Sequence, residues 1–137
     1  MGGAVASELA KLYPEVISKL VLWAPAFNLP MALDYLTGKV EANQDGLYDH
    51  GGFEISQEFV DDMLARDFYD GLDIYKNDLL IIHGTEDTTV PFDISKLYVP
   101  KFIDTAKFIP INGANHNYDS VEHIKKVLKL SLDFLVG

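Results

Sequence analysis

The sequence contains no cysteine. That removes disulfides and thiolate chemistry and suits a reducing compartment. The N-terminus also lacks a basic region ahead of an apolar core, so a cytoplasmic location is expected. Positive charge is scarce: 11 Lys and Arg against 21 Asp and Glu give a net charge of −10. With no basic excess to neutralise phosphates or meet an anionic bilayer, neither nucleic acid nor a membrane is an expected partner. Long apolar runs are missing too. The longest, Leu20 to Phe27, is eight residues, against the ~20 of a spanning helix. The four histidines show no metal-ligand spacing, and the acidic stretches contain no EF-hand-like run. Gly2-Gly3 is not followed by the Lys-Ser or Lys-Thr of a phosphate-binding loop. No metal and no cofactor are therefore expected.

What is present is an ordinary globular composition, 48% hydrophobic and 23% charged over 137 residues. Three short apolar runs read as strands, at about 19–25 (KLVLWAP), 78–84 (DLLIIHG) and 106–111 (AKFIPI). The first two are continuous rather than alternating, as in strands buried on both faces of a parallel sheet. Pro110 in the third removes a ladder donor and predicts an edge position. Helical spacing is found over 4–13 (Val5, Leu9, Leu12), 56–66 (Phe59, Val60, Met63, Leu64), 93–102 (Ile94, Leu97, Tyr98) and 121–135 (Val121, Ile124, Leu128, Leu135). Asp119 and Glu122 predict a capping box at the start of the last helix. The order is helix, strand, insert, strand, helix, strand, helix, which is an α/β fold with right-handed crossovers and a parallel sheet.

The insert, 28–77, divides the chain into a core of 1–27 with 78–137 and an excursion between two of its strands. From Glu41 to Asp78 there are eleven acidic residues against Arg66 and Lys76, so most of the net charge sits there. The insert also carries Tyr48, Phe53, Phe59, Phe68, Tyr69 and Tyr75. It reads as a cap over one end of the sheet, or as a solvated insertion with a small core of its own.

In an open parallel sheet, ligands bind beyond the carboxyl ends of the strands. Asp87 follows the second strand and His116 the third. A carboxylate and an imidazole on adjacent strand ends can form the orienting half of a catalytic triad, the carboxylate fixing the ring tautomer. His83, at the end of a buried strand, reads as structural; His50 and His123 read as surface residues.

Local strings sharpen this. His83-Gly84-Thr85-Glu86-Asp87-Thr88-Thr89-Val90-Pro91 resembles the H-G-x-x-D-x-x-V-P segment of α/β-hydrolases, and Gly113-Ala114-Asn115-His116 resembles their G-A-x-H segment. Met1-Gly2-Gly3-Ala4-Val5-Ala6 is similar to the residues that follow the nucleophile in a G-x-S-M-G-G elbow. Leu12-Tyr13-Pro14-Glu15 through Leu20 to Ala26 is similar to the helix and strand after that elbow. The resemblance runs nearly end to end, is weakest in the insert, and is closest to cinnamoyl or feruloyl esterases.

The resemblance implies a partial, C-terminal α/β-hydrolase fold and a serine carboxylic-ester hydrolase acting on small ester substrates, with hydroxycinnamate esters favoured. Peptidases, thioesterases, dehalogenases and lyases share the framework. It implies Asp87 as triad acid, His116 as base, and the backbone N–H of Met1 as an oxyanion donor. The cap aromatics Tyr48 and Phe53 are the candidates for holding an acyl group. The nucleophile itself does not appear: by register it would immediately precede Met1. Ser7 lies two turns into the helix, and Ser18, Ser56, Ser95, Ser120 and Ser131 have no elbow context. The expectation is a C-terminal fragment that is inactive alone; the alternative is a non-catalytic, truncated or degenerate relative. Without its upstream neighbour the strand at 19–25 would present an open apolar edge, through which self-association is expected.

Overall fold

The fold is built outward from the strand Asp78–Gly84, whose residues from Leu79 onward are all buried. In this computed structural model, which describes residues 1–99 and 106–137, the elements in order are as follows. Helix α1 (Gly2–Leu12) leads to β1 (Lys19–Trp23) and α2 (Leu29–Thr37); a hairpin β2 (Leu47–His50) and β3 (Phe53–Ser56) leads into α3 (Gln57–Leu64). A 3₁₀ turn at Leu72–Ile74 precedes β4 (Asp78–Gly84), α4 (Phe92–Tyr98), β5 (Ala106–Ile111) and α5 (Val121–Val136). Strands β1, β4 and β5 form a parallel sheet in the order β1-β4-β5, with Leu22 opposite Ile81 and Ile81 opposite Phe108. The three strands stand where the sequence predicts them, and Pro110 lies on an edge strand.

The central strand is apolar throughout because both of its faces are covered. Leu80 and Ile82 join Ile111, Ala114, Tyr118 and Val127 of α5 in one core cluster. The alternate face carries His83 towards Ser95 of α4. On β1, Leu20 and Leu22 are buried, while Lys19 and Trp23 reach α5: Lys19 Nζ donates to the Phe134 carbonyl and Trp23 Nε1 to Ser131 Oγ, both at 2.9 Å.

The chain divides into two compact units, Met1–Phe27 with Phe68–Gly137, and Asn28–Asp67. The first holds the parallel sheet. The segment 68–77, which the sequence assigns to the insert, belongs with the sheet unit because Phe68, Leu72 and Tyr75 are buried and Lys11 donates to the Asp70 carbonyl. The second unit is α2, the hairpin and α3. In it, Ser56 caps α3 by accepting from the Phe59 N–H, as expected at an N-terminal cap.

Three helix expectations need correction. In α1 the buried residues are Ala4, Ser7 and Ala10, while Val5, Leu9 and Leu12 are exposed. Small side chains let the helix lie close on β1: a Cβ on Gly3 would stand 2.9 Å from Pro25 Cβ. In α5 the inward residues are Val127 and Ser131, with Ile124 and Phe134 packed against the core, and Val121, Leu128 and Leu135 are exposed. The cap of α5 is Ser120, which accepts from the His123 N–H, and Asp119 instead accepts from the Asn115 amide. The helix expected over 93–102 is seen as α4, with Leu97 exposed and Ser95 buried; residues 100–102 lie outside those described.

Gly84 is where the two site loops meet. A Cβ there would stand 2.2 Å from the Ala114 carbonyl oxygen, so only glycine permits this approach. Gly84→Ala is expected to cost about 1–3 kcal/mol, the range for overpacking a closed core; urea denaturation measures it, and an unchanged midpoint would refute the close approach. The edge strand β1 pairs only with β4 among the described residues. The isolated 137-residue chain is expected to self-associate there; sedimentation against concentration checks this, and a persistent monomer counts against it.

Candidate active site

Asp87 follows β4 on a turn that its own carboxylate closes. Oδ1 accepts from the Thr89 N–H at 2.9 Å and the Val90 N–H at 2.8 Å. This is the local bonding that Asp favours at turns, and it accounts for the Asp-Thr-Thr-Val spacing. Pro91 then starts α4 with φ −54°.

His116 sits on the loop after β5. That loop is tied to the β4 loop: Thr85 N–H donates to the Ile111 carbonyl, Glu86 N–H to the Ala114 carbonyl, and Gly113 N–H to Thr85 Oγ1. Gly113 turns the chain at φ +73°. Two residues beyond His116, Tyr118 anchors the loop in the core. Its hydroxyl donates to the Ile82 carbonyl at 3.0 Å, its ring meets Trp23 edge-on, and burial pushes its phenol well above the usual range. Tyr118 adopts φ +54°, uncommon for an aromatic residue, and these contacts hold it there.

The loops bring Asp87 and His116 together. His116 Nδ1 donates to Asp87 Oδ2 at 2.7 Å; the carboxylate is fully buried and the imidazole is 29% exposed. With its proton on Nδ1, the neutral ring keeps its lone pair on Nε2, the nitrogen that can take a proton.

The second partner of Asp87 is His83, read from the sequence as structural. It is fully buried, and its Nε2 lies 3.0 Å from Asp87 Oδ2 and 2.9 Å from the Val90 carbonyl. Both neighbours only accept, so Nε2 carries the proton, and Nδ1 accepts from the Ser95 hydroxyl at 2.6 Å. Burial holds the ring below its ordinary value of 6.5, against the upward pull of the Val90 carbonyl and Asp87; His116 adds a smaller downward push. The missed signal was spacing: four residues around the turn after a strand return His83 and Asp87 to one another.

The other candidates lie as follows. Met1 is the N-cap of α1, and its carbonyl accepts from the Ala4 N–H at 2.9 Å. Because Gly3 packs on Pro25, just past β1, the start of α1 stands at the carboxyl edge of the sheet, the edge that bears Asp87 and His116. Ser7 is buried, its hydroxyl donating to the Ala4 carbonyl at 2.7 Å. Tyr48 and Phe53 belong to the second unit, on opposite strands of the hairpin; Tyr48 bonds Gln57 and Phe53 is exposed. That unit contains a groove of about 640 Å³ lined by Met31, Tyr35, Leu36, Lys39, Val40 and His50 among others. Neither Tyr48 nor Phe53 lines it. Among the described residues no group of three or more acidic or histidine side chains is placed to hold a metal ion, and no helix is long and apolar enough to cross a membrane.

This arrangement belongs to a known architecture. Est1E from Butyrivibrio proteoclasticus is similar at TM-score 0.80 and 22% identity, over 98% of this chain and 58% of that one. Est1E with ferulic acid bound matches at 0.80 and 21%, over 98% and 57%. Mouse alpha/beta hydrolase domain-containing protein 10 matches at 0.79 and 18%, over 98% and 58%. The chain thus has a partial α/β-hydrolase fold and spans a little over half the length of these structures. No family model and no curated protein matches it.

The buried neutral His83 makes stability depend on pH. Its folded value is lowered, so as pH falls below 6.5 the unfolded chain takes up a proton that the folded one refuses. Its contribution is complete above 6.5 and is lost on acidification. The melting temperature is expected to fall between about pH 7 and 5, and to fall less in His83→Gln, which cannot titrate there; equal slopes would exclude His83 as a source.

Proposed function

We propose that this chain is the C-terminal part of a serine carboxylic-ester hydrolase, supplying the base and its orienting acid. The observation that carries the reading is the 2.7 Å bond from His116 Nδ1 to a fully buried Asp87 carboxylate. The fold likeness to esterases supports it, as do the motif strings around both residues.

In this reading the nucleophile is a serine immediately before Met1, at the turn into α1. His116 Nε2 takes the serine proton as the oxygen attacks the ester carbonyl. Asp87 stays ionised and stabilises the imidazolium without itself accepting the proton. The tetrahedral oxyanion meets the peptide N–H of Met1, at the N-terminus of an 11-residue helix whose dipole favours negative charge. His116 then protonates the leaving alcohol. Water repeats the cycle on the acyl-enzyme, again with His116 as base.

The unit Asn28–Asp67 is proposed as the cap. Tyr48 and Phe53 are its proposed acyl-binding residues, and a hydroxycinnamate the favoured acyl group, because Est1E was solved with ferulic acid bound. The second reading, a non-catalytic relative, is favoured by one observation: Ser7, the serine closest to the start of α1, is buried and bonded within its own helix.

The test extends the chain upstream with its coding sequence and assays aryl esters. His116→Ala is expected to lower kcat by about 10⁴-fold or more, and Asp87→Asn by about 10⁴-fold. Unchanged turnover in His116→Ala would overturn the assignment. The 137-residue chain is expected to resist a fluorophosphonate probe, and labelling would show a nucleophile within it.

A further inference from the structure

Asp87 accepts four hydrogen bonds, and their division between its two oxygens is unequal in kind. Oδ1 takes two backbone N–H groups. Oδ2 takes two imidazole N–H groups, from His116 at 2.7 Å and from His83 at 3.0 Å. A carboxylate offers about four lone-pair sites, so this one is filled.

We propose that His83 is a positioning residue that acts on His116 through the shared oxygen Asp87 Oδ2, with Ser95 fixing which nitrogen of His83 carries the proton. For its catalytic meaning this rests on the hydrolase reading; the hydrogen-bond coupling itself does not.

First, His83 is rigid. It stands on the central strand, is fully buried, packs edge-on against Phe92 at 5.7 Å, and has partners on both ring nitrogens. A donor held this firmly occupies one lone-pair site of Oδ2 and leaves the other to His116.

Second, the two donors compete. Each N–H draws charge from the same oxygen, so the His83 bond weakens the one from His116 and tempers how strongly Asp87 supports a proton on that ring. Third, the device works only while His83 is neutral. An imidazolium at 83 would claim Asp87 for itself and repel a charged His116. Burial keeps it neutral, and the groups facing it, Asp87, His116, Ser95 and the Val90 carbonyl, are accounted for in its tautomer.

The test reads the downfield proton resonance of His116 Nδ1–H in the protein carrying its upstream segment, assigned by its loss in Asp87→Asn. His83→Phe removes the competing donor and is expected to move that resonance further downfield. His83→Gln, whose amide can donate to Asp87 and accept from Ser95, is expected to restore it. Ser95→Ala weakens the His83 donor and is expected to shift the resonance the same way by less, which keeps the test available if His83→Phe fails to fold. In turnover, the acid limb of the kcat/KM profile is expected to move to higher pH in His83→Phe and to return in His83→Gln. Lower melting temperatures with an unmoved resonance would leave His83 a packing residue and overturn the proposal. A moved resonance without ester hydrolysis in any variant would instead overturn the hydrolase reading and keep the coupling.

Discussion

A carboxylate with no exposed surface is the constraint around which the sheet unit is organised. Taking Asp87 out of water costs several kcal/mol unless its lone pairs are satisfied. Four donors satisfy them here, and they come from three structural sources. The turn after β4 gives two backbone N–H groups. The strand itself gives His83. The loop after β5 gives His116, 29 residues along the chain. Folding β5 against β4 is therefore the event that completes the solvation of Asp87, and a loose β5 loop would leave a buried charge one partner short.

That dependence explains residues that do no chemistry. Gly84 lets the carbonyl of Ala114 come close enough for Glu86 to bond it. Thr85 answers the N–H of Gly113. Tyr118 ties the far end of the His116 loop to Ile82 on the central strand, and Ile82 also accepts from Ala24 at the end of β1. One carbonyl on β4 thus joins all three strand ends. The strain at Tyr118, and at Ala24 with φ +40°, lies within this joint.

How legible this was from sequence depended on the range of the interaction. The strands of the sheet could be read because burial on both faces writes continuous apolar runs, as at Leu79 to Ile82. Asp87 and His116 could be read because strand-end position and local strings agree. Helix faces were less legible. Val5, Leu9 and Leu12 make the stronger apolar stripe, yet α1 buries Ala4, Ser7 and Ala10, since close approach to β1 selects size over hydrophobicity. The hairpin of β2 and β3 gave no alternating apolar signal, its residues being exposed or half-buried. His83 was placed correctly on a buried strand, but a histidine's partners are not written in its neighbours. Its role depends on a turn that folds Asp87 back over four residues and on Ser95 arriving from α4.

The exposed stripe of α1 and the organisation of Asp87 bear on each other. The four donors to Asp87 lie between His83 and His116, so the pair depends on β4, β5 and the loops after them. The N-terminus of α1 reaches the same sheet edge by a different route, through the contact of Gly3 with Pro25 after β1. A group attached ahead of α1 would be positioned by that helix. His116 is positioned by the loop that Tyr118 anchors in the core. β1 bears on both, because it pairs with β4 and packs against α1. Changes along β1 would be felt at the start of α1 and, through the contact of Trp23 with Tyr118 and the bond of Ala24 to Ile82, at the loop that carries His116.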